Sequence, residues 1–224
     1  RFMFGKTTIE DNLDEIIGRI FRIPHQGRPI TVFQLGGLPS EVVNAVISIL
    51  GRLSFDLAVY SEGHYEILLV CEEAHRYVPN DSALAFYPTR QAISRIAKEG
   101  RKYGAYLGIV TQRPGELDPT ILSQCSTVFA MRLTNDRDQE IIRSAIADSS
   151  ASAISFLSSI GNREAIAFGE GVATTMRMRF VQLDRQMLPQ TQIEEPETTA
   201  APSSEQHLTT LVNRMRMSAN GEQR

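Results

Sequence analysis

Apolar residues recur in this chain in two rhythms. Runs at Pro29–Leu35, Ile67–Cys71, Ala105–Thr111 and Ser126–Leu133, the second without a polar break, are rich in Ile, Val, Leu and Phe. Runs of this kind predict strands buried on both faces, as in a parallel sheet covered by helices. Between them the spacing changes to that of a helix face. Leu13, Ile16, Ile17 and Ile20 form one such face, Val42, Val43, Val46, Ile47, Leu50 and Leu53 a second, and Ile93, Ile96, Ala97 and Gly100 a third. Thr8 or Asp11 can cap the first helix, Pro39-Ser40 opens the second, Pro88 the third and Asp118-Pro119 a short fourth. Asn135 or Asp136 can cap a further helix from Arg137 to Ala147. Strands that alternate with helices predict an α/β fold with right-handed crossovers. Farther along, Glu164–Phe168 and Thr175–Val181 flank Gly169-Glu170-Gly171 and predict a half-exposed edge hairpin, in which apolar Met176, Met178 and Phe180 alternate with exposed Arg177 and Arg179.

Composition changes the picture at the C-terminal end. Residues 185–206 carry Glu, Pro, Thr and Ser with almost no large apolar side chain, which predicts a disordered linker. In residues 207–217, Leu208, Leu211, Val212 and Met215 are spaced for one face of a short amphipathic helix, and 218–224 form a tail. The 224 residues, 42% hydrophobic, suffice for one large domain plus such a tail. A net charge of −3 confines any nucleic-acid contact to one face or pore. Cys71 and Cys125 sit among apolar or small residues and read as free thiols of a reducing compartment. With no apolar stretch counted as long enough to cross a bilayer and no leader pattern at the start, a cytoplasmic protein without a membrane is expected.

Candidate chemistry gathers at strand ends. The run Ile67–Cys71 meets two adjacent acids, Glu72 and Glu73, at the end where open α/β sheets bind ligands. One such carboxylate can hold Mg²⁺, and the other can orient or deprotonate the water that attacks a γ-phosphate. The plainer alternative is a pair of surface acids after a core strand. Gln112 follows the strand 105–111, and an amide there can donate and accept without adding charge; the alternative is a simple turn at Pro114-Gly115. Arg101 and Lys102 lie between Gly100 and Gly104 at a helix end, where cations also serve as ordinary C-terminal caps. His75 has no second ligand pair for zinc and reads as a buttress for the carboxylates. Gly5-Lys6-Thr7 has the look of the end of a phosphate-binding loop, yet the first glycine of G-x-x-x-x-G-K-[ST] would lie five residues before Gly5.

Three segments in this order and spacing resemble the HerA group of the HerA/FtsK ATPases: 69–79 (LVCEEAHRYVP), 96–104 (IAKEGRKYG), and 111–114 (TQRP) with 122–125 (LSQC). The resemblance covers roughly residues 2–183, and 161–166 (GNREAI) is similar to the family's closing hairpin. It implies a RecA-like P-loop NTPase core of three layers with a mainly parallel sheet and a C-terminal β-hairpin, of which residues 1–184 are the C-terminal portion with the N-terminal P-loop part missing. It also implies a hexameric ring that uses ATP and Mg²⁺ to move double-stranded DNA, with a nuclease as partner. By the same resemblance Glu72 supports Mg²⁺, Glu73 polarises water, and Gln112 senses the γ-phosphate. Arg101, with Lys102, is the finger that reaches the adjacent subunit's ATP. Glu72 departs from the commoner Asp. With no phosphate loop, the chain alone is expected to be inactive and to bind ATP weakly. A conjugation or secretion ATPase of the same superfamily, or a non-catalytic ring subunit that scaffolds a nuclease, are the alternative functions.

Overall fold

The computed structural model describes residues 13–81, 83–144, 156–184 and 187. Gly5-Lys6-Thr7, the caps Thr8 and Asp11, the linker at 188–206 and the helix expected at 207–217 lie outside the described residues. The chain divides into one compact unit ending at Phe180 and a second, Val181–Arg224. In chain order the described elements are α1 (Leu13–Phe21), α2 (Ser40–Tyr60), β1 (Ile67–Glu72), α3 (Tyr87–Glu99), β2 (Ala105–Val110), α4 (Pro119–Leu122), β3 (Thr127–Ala130), α5 (Asp136–Ser144), β4 (Glu164–Gly169) and β5 (Met176–Arg179), with short 3-10 turns at Ala74–Arg76, Gly100–Tyr103 and Pro114–Glu116. The class is α/β, with β1 and β2 paired in parallel, Ile67 opposite Ala105 and Glu72 opposite Val110.

Helices α2 and α3 pack on each other and on one face of this pair. Gly51 makes their close approach possible, since a Cβ there would stand 3.2 Å from that of Ala92. Ile47, Cys71, Val78, Ile93, Leu117 and Ile121 form the central cluster, and Phe55, Ala58, Ile96 and Ala105 a second one beside it. Each large side chain so buried contributes about 1.5–3 kcal/mol. α2 passes the length and hydropathy criteria for a membrane span, with a mean hydropathy of 1.7, contrary to the expectation that no stretch does. Its Ile47, Leu50, Phe55 and Ala58 nevertheless face α3 and the sheet as core.

Three expectations change. The run Pro29–Leu35 forms no strand: Ile30 and Val32 are 74% and 77% exposed, and only Leu35 reaches the central cluster. Composition favours a strand, but among the described residues no neighbour supplies the ladder that a strand requires. β1 is buried on one face among the described residues and not on both, since Leu68 and Val70 on the other are 62% and 56% exposed. Finally, β3 does not extend the parallel pair. It joins a separate antiparallel sheet in the order β3-β4-β5, with Ala130, Ile142, Leu157, Ile160, Ile166 and Phe168 as its core.

The expected hairpin is present as β4–β5, with β5 at the edge. Its chemistry differs from the pattern reading. Arg177 and Arg179 do not simply face solvent but converge on Glu164, which also accepts from the Gly161 N–H and is 7% exposed. The Arg177 guanidinium, then the Gly161 amide and Arg179, hold this carboxyl down from 4.5 to about 2. A depressed carboxylate stabilises the fold above its unfolded value, and that stabilisation is lost as pH falls through the folded one. We therefore expect the parent to lose stability between pH 4.5 and about 2, and Glu164→Gln to show a shallower loss in that window by urea unfolding.

Candidate functional site

β1 ends at Glu72 and the chain turns sharply. Glu73 adopts the left-handed conformation, φ 51° and ψ 46°, before the 3-10 turn at Ala74–Arg76. A non-glycine residue held there costs about 1–3 kcal/mol, which the buried Ala74 and Val78 just beyond it offset by anchoring the turn. The turn swings Glu73 toward the end of β2, where Gln112 follows Thr111. Gln112 Nε2 donates to Glu73 Oε1 at 2.8 Å. His75 Nδ1 lies 2.9 Å from Thr111 Oγ1 and 3.4 Å from Glu73 Oε2. Glu73, with a side chain 33% exposed, is thus held by its neighbours yet open to a ligand.

The two strand tips are also tied behind these side chains. Asp118 N–H donates to the Val78 carbonyl at 2.9 Å, Asn80 N–H to the Glu116 carbonyl at 2.8 Å, and Asn80 Nδ2 to the Gly115 carbonyl at 2.9 Å. Asp118, 2% exposed, caps α4 through Thr120 N–H and accepts from Arg90 through both Nε and Nη2 at 2.7 Å. That ion pair fastens α3 to the segment after β2. The sequence signalled Asp118 only as a cap; nothing in it marks Arg90 as the partner.

Glu72 occupies the last position of β1 and is exposed on the side of Leu68 and Val70, away from the central cluster. Among the described residues no group of three His, Cys, Asp or Glu could hold a metal ion. Cys71 and Cys125 are free, and burial pushes the Cys71 thiol up to about 11.

The structure does not bring Arg101 and Lys102 to the carboxylate and amide. They precede β2, and six residues of strand at about 3.3 Å each put them roughly 20 Å from its far tip. Arg101, with a side chain 81% exposed, pairs with Glu170 of the β4–β5 turn at 2.9 Å, and Lys102 Nζ stands 5.2 Å from the Tyr103 ring centre. Lys98, Glu99, Arg101, Lys102 and Tyr103 line a hollow of about 710 Å³. Glu73 and Gln112 lie instead on an open tip. The flanking glycines have separate reasons. A Cβ on Gly100 would stand 2.2 Å from the Ala105 carbonyl oxygen, while Gly104 has φ 84°. We expect Gly100→Ala to destabilise the fold by about 1–3 kcal/mol, and Gly36→Ala, with nothing within 4 Å, to be close to neutral in thermal unfolding.

No family model matches the chain. Curated proteins do. The DNA double-strand break repair helicase HerA of Pyrococcus furiosus is 36% identical over 52% of this chain and 20% of its own length. The probable HerA of Methanocaldococcus jannaschii is 32% identical over 55% and 25%, and the HerA of Sulfolobus acidocaldarius 30% identical over 72% and 33%. The chain thus spans between 20% and 33% of the length of these relatives. Among solved structures, the genome packaging NTPase B204 from Sulfolobus turreted icosahedral virus 2 in complex with ATP-gammaS is similar over 60% of this chain and 62% of its own, at 16% identity and a TM-score of 0.48. Across half or more of its residues, this chain is HerA-like in sequence.

Proposed function

We propose that this chain carries the water-activating part of an ATP-driven DNA motor of HerA type, which works in the cytoplasm as a hexameric ring and moves double-stranded DNA. One observation carries the reading: Glu73 and Gln112 meet at 2.8 Å on the carboxyl ends of neighbouring parallel strands, where α/β sheets bind ligands. The likeness to helicases over half the chain supports it.

The chemistry follows from the atoms. With one amide hydrogen of Gln112 donated to Glu73, the other hydrogen is left for a phosphate oxygen and the amide oxygen for the hydrogen of a water. The Glu73 carboxylate orients that water and takes its proton as the oxygen bonds to the γ-phosphorus, while the bond from that phosphorus to the β–γ bridging oxygen breaks and ADP leaves. Glu72, exposed at the strand end, suits Mg²⁺, which binds through one or two carboxylates together with water and phosphate oxygens. When bound, the ion neutralises charge on the phosphates. Arg101, exposed and ahead of β2 at the end away from Glu73, is the cation we assign to a neighbouring subunit's nucleotide, and Lys102 beside it adds positive charge there. A nuclease is the partner in DNA end processing.

The test is ATP hydrolysis by the full-length protein with and without linear duplex DNA. Stimulation by the duplex is expected. Hydrolysis that is indifferent to DNA would favour a transport ATPase, and absent hydrolysis a scaffold.

A further inference from the structure

We propose that His75 is a positioning residue whose Nδ1–H steadies the second oxygen of Glu73, with Thr111 setting the ring. The inference rests on reading Glu73 as the base. Glu73 Oε1 is already held by Gln112 at 2.8 Å, whereas Oε2 lies 3.4 Å from His75 Nδ1. The same nitrogen is 2.9 Å from Thr111 Oγ1, which also accepts from the Arg113 N–H at 3.1 Å.

A threonine hydroxyl offers one hydrogen and two lone pairs. The Arg113 amide takes one lone pair. The remaining lone pair and the hydrogen leave two arrangements with His75. In one, the hydroxyl donates to the single lone pair of a bare Nδ1, whose negative charge density then lies beside a carboxylate oxygen and repels it. In the other, Nδ1 carries the hydrogen, donates to Oγ1 and presents positive charge density to Oε2. Only the second suits both neighbours, so the geometry selects the Nδ1–H form. The ring, with a side chain 14% exposed, is confined to that pose. A separation of 3.4 Å is longer than a formed hydrogen bond. Such contacts commonly tighten once substrate is bound, so His75 acts when the water and nucleotide arrive. With both oxygens steadied, the carboxylate plane is fixed and one lone pair is aimed at the water.

Asparagine and glutamine separate this role from mere packing. Asn places an amide nitrogen near the position of Nδ1; Gln places it near that of Nε2. In the full-length protein, His75→Ala and His75→Gln are expected to lower kcat about 10- to 100-fold, the effect of losing a hydrogen bond to a charged group, with KM for ATP within about twofold. His75→Asn is expected to keep at least about a third of parental kcat. Adding His75→Ala to Glu73→Gln should cost nothing further, because a positioning residue has no effect without the group it positions. Three variants all near parental kcat would overturn the proposal. So would three equally slow variants with lowered melting temperatures, which would make His75 a packing residue. Glu73→Gln, measured alongside, distinguishes the two layers. If it is inactive while the His75 variants are normal, only the positioning role fails. If it is fully active, the base reading fails and this inference with it.

Discussion

Glu73→Gln is expected to lower ATP turnover by about 10²–10⁴-fold, the range for removal of a general base, while nucleotide affinity changes little. The exchange is nearly isosteric, and the new side-chain oxygen can still accept from Gln112 Nε2 as Oε1 does at 2.8 Å. What disappears is the charge and the basicity. Single-turnover hydrolysis and nucleotide binding, both on the full-length protein, separate these effects. A variant with parental turnover would make Glu73 a surface acid that happens to follow a core strand.

Arg101→Ala is expected to be at least as damaging, because a cation supplied to transition-state phosphate charge by a neighbour is worth about 10³–10⁵ in turnover. Its pairing with Glu170 is no obstacle. Side chains 81% and 68% exposed form a surface ion pair, and such pairs contribute little. The stronger expectation concerns mixtures. Arg101→Ala subunits lack the cation but keep Glu73, and Glu73→Gln subunits lack the base but keep Arg101. Some interfaces in a mixed ring would unite an intact Glu73 with an intact Arg101. Mixing the two inactive variants should therefore restore measurable ATPase, detectable in a titration of one against the other. If the mixture stays silent, Arg101 does not act across an interface.

Much of this arrangement was legible in the residues. The apolar run before Glu72 and Glu73 identified β1, and the run before Gln112 identified its neighbour. Their parallel register then places the acid and the amide side by side. The helices α1, α2 and α3 followed from spacing in the same way, and the expected faces of α2 and α3 hold buried residues, whereas α1 buries none of its residues. Three things were not legible. Pro29–Leu35 has strand composition, but whether a strand forms depends on a pairing partner that local sequence does not reveal. The convergence of Arg177 and Arg179 on Glu164 was hidden because alternation reports which side of a strand a residue takes, not what stands opposite. Similarly, His75 could be called a buttress from its place in the chain, but its link to Thr111 spans 36 positions and needs coordinates.

The bare side of the β1–β2 pair bears on how the chain behaves when handled. Leu68, Val70 and Val110 are 62%, 56% and 49% exposed there, and Tyr106 stands among them at 39%. Among the described residues each strand of this two-stranded sheet also has an edge with no partner strand. Oily surface next to free backbone groups invites clumping. Produced by itself, this polypeptide should light up a hydrophobic dye such as ANS and turn cloudy as it is concentrated, well before its helices melt.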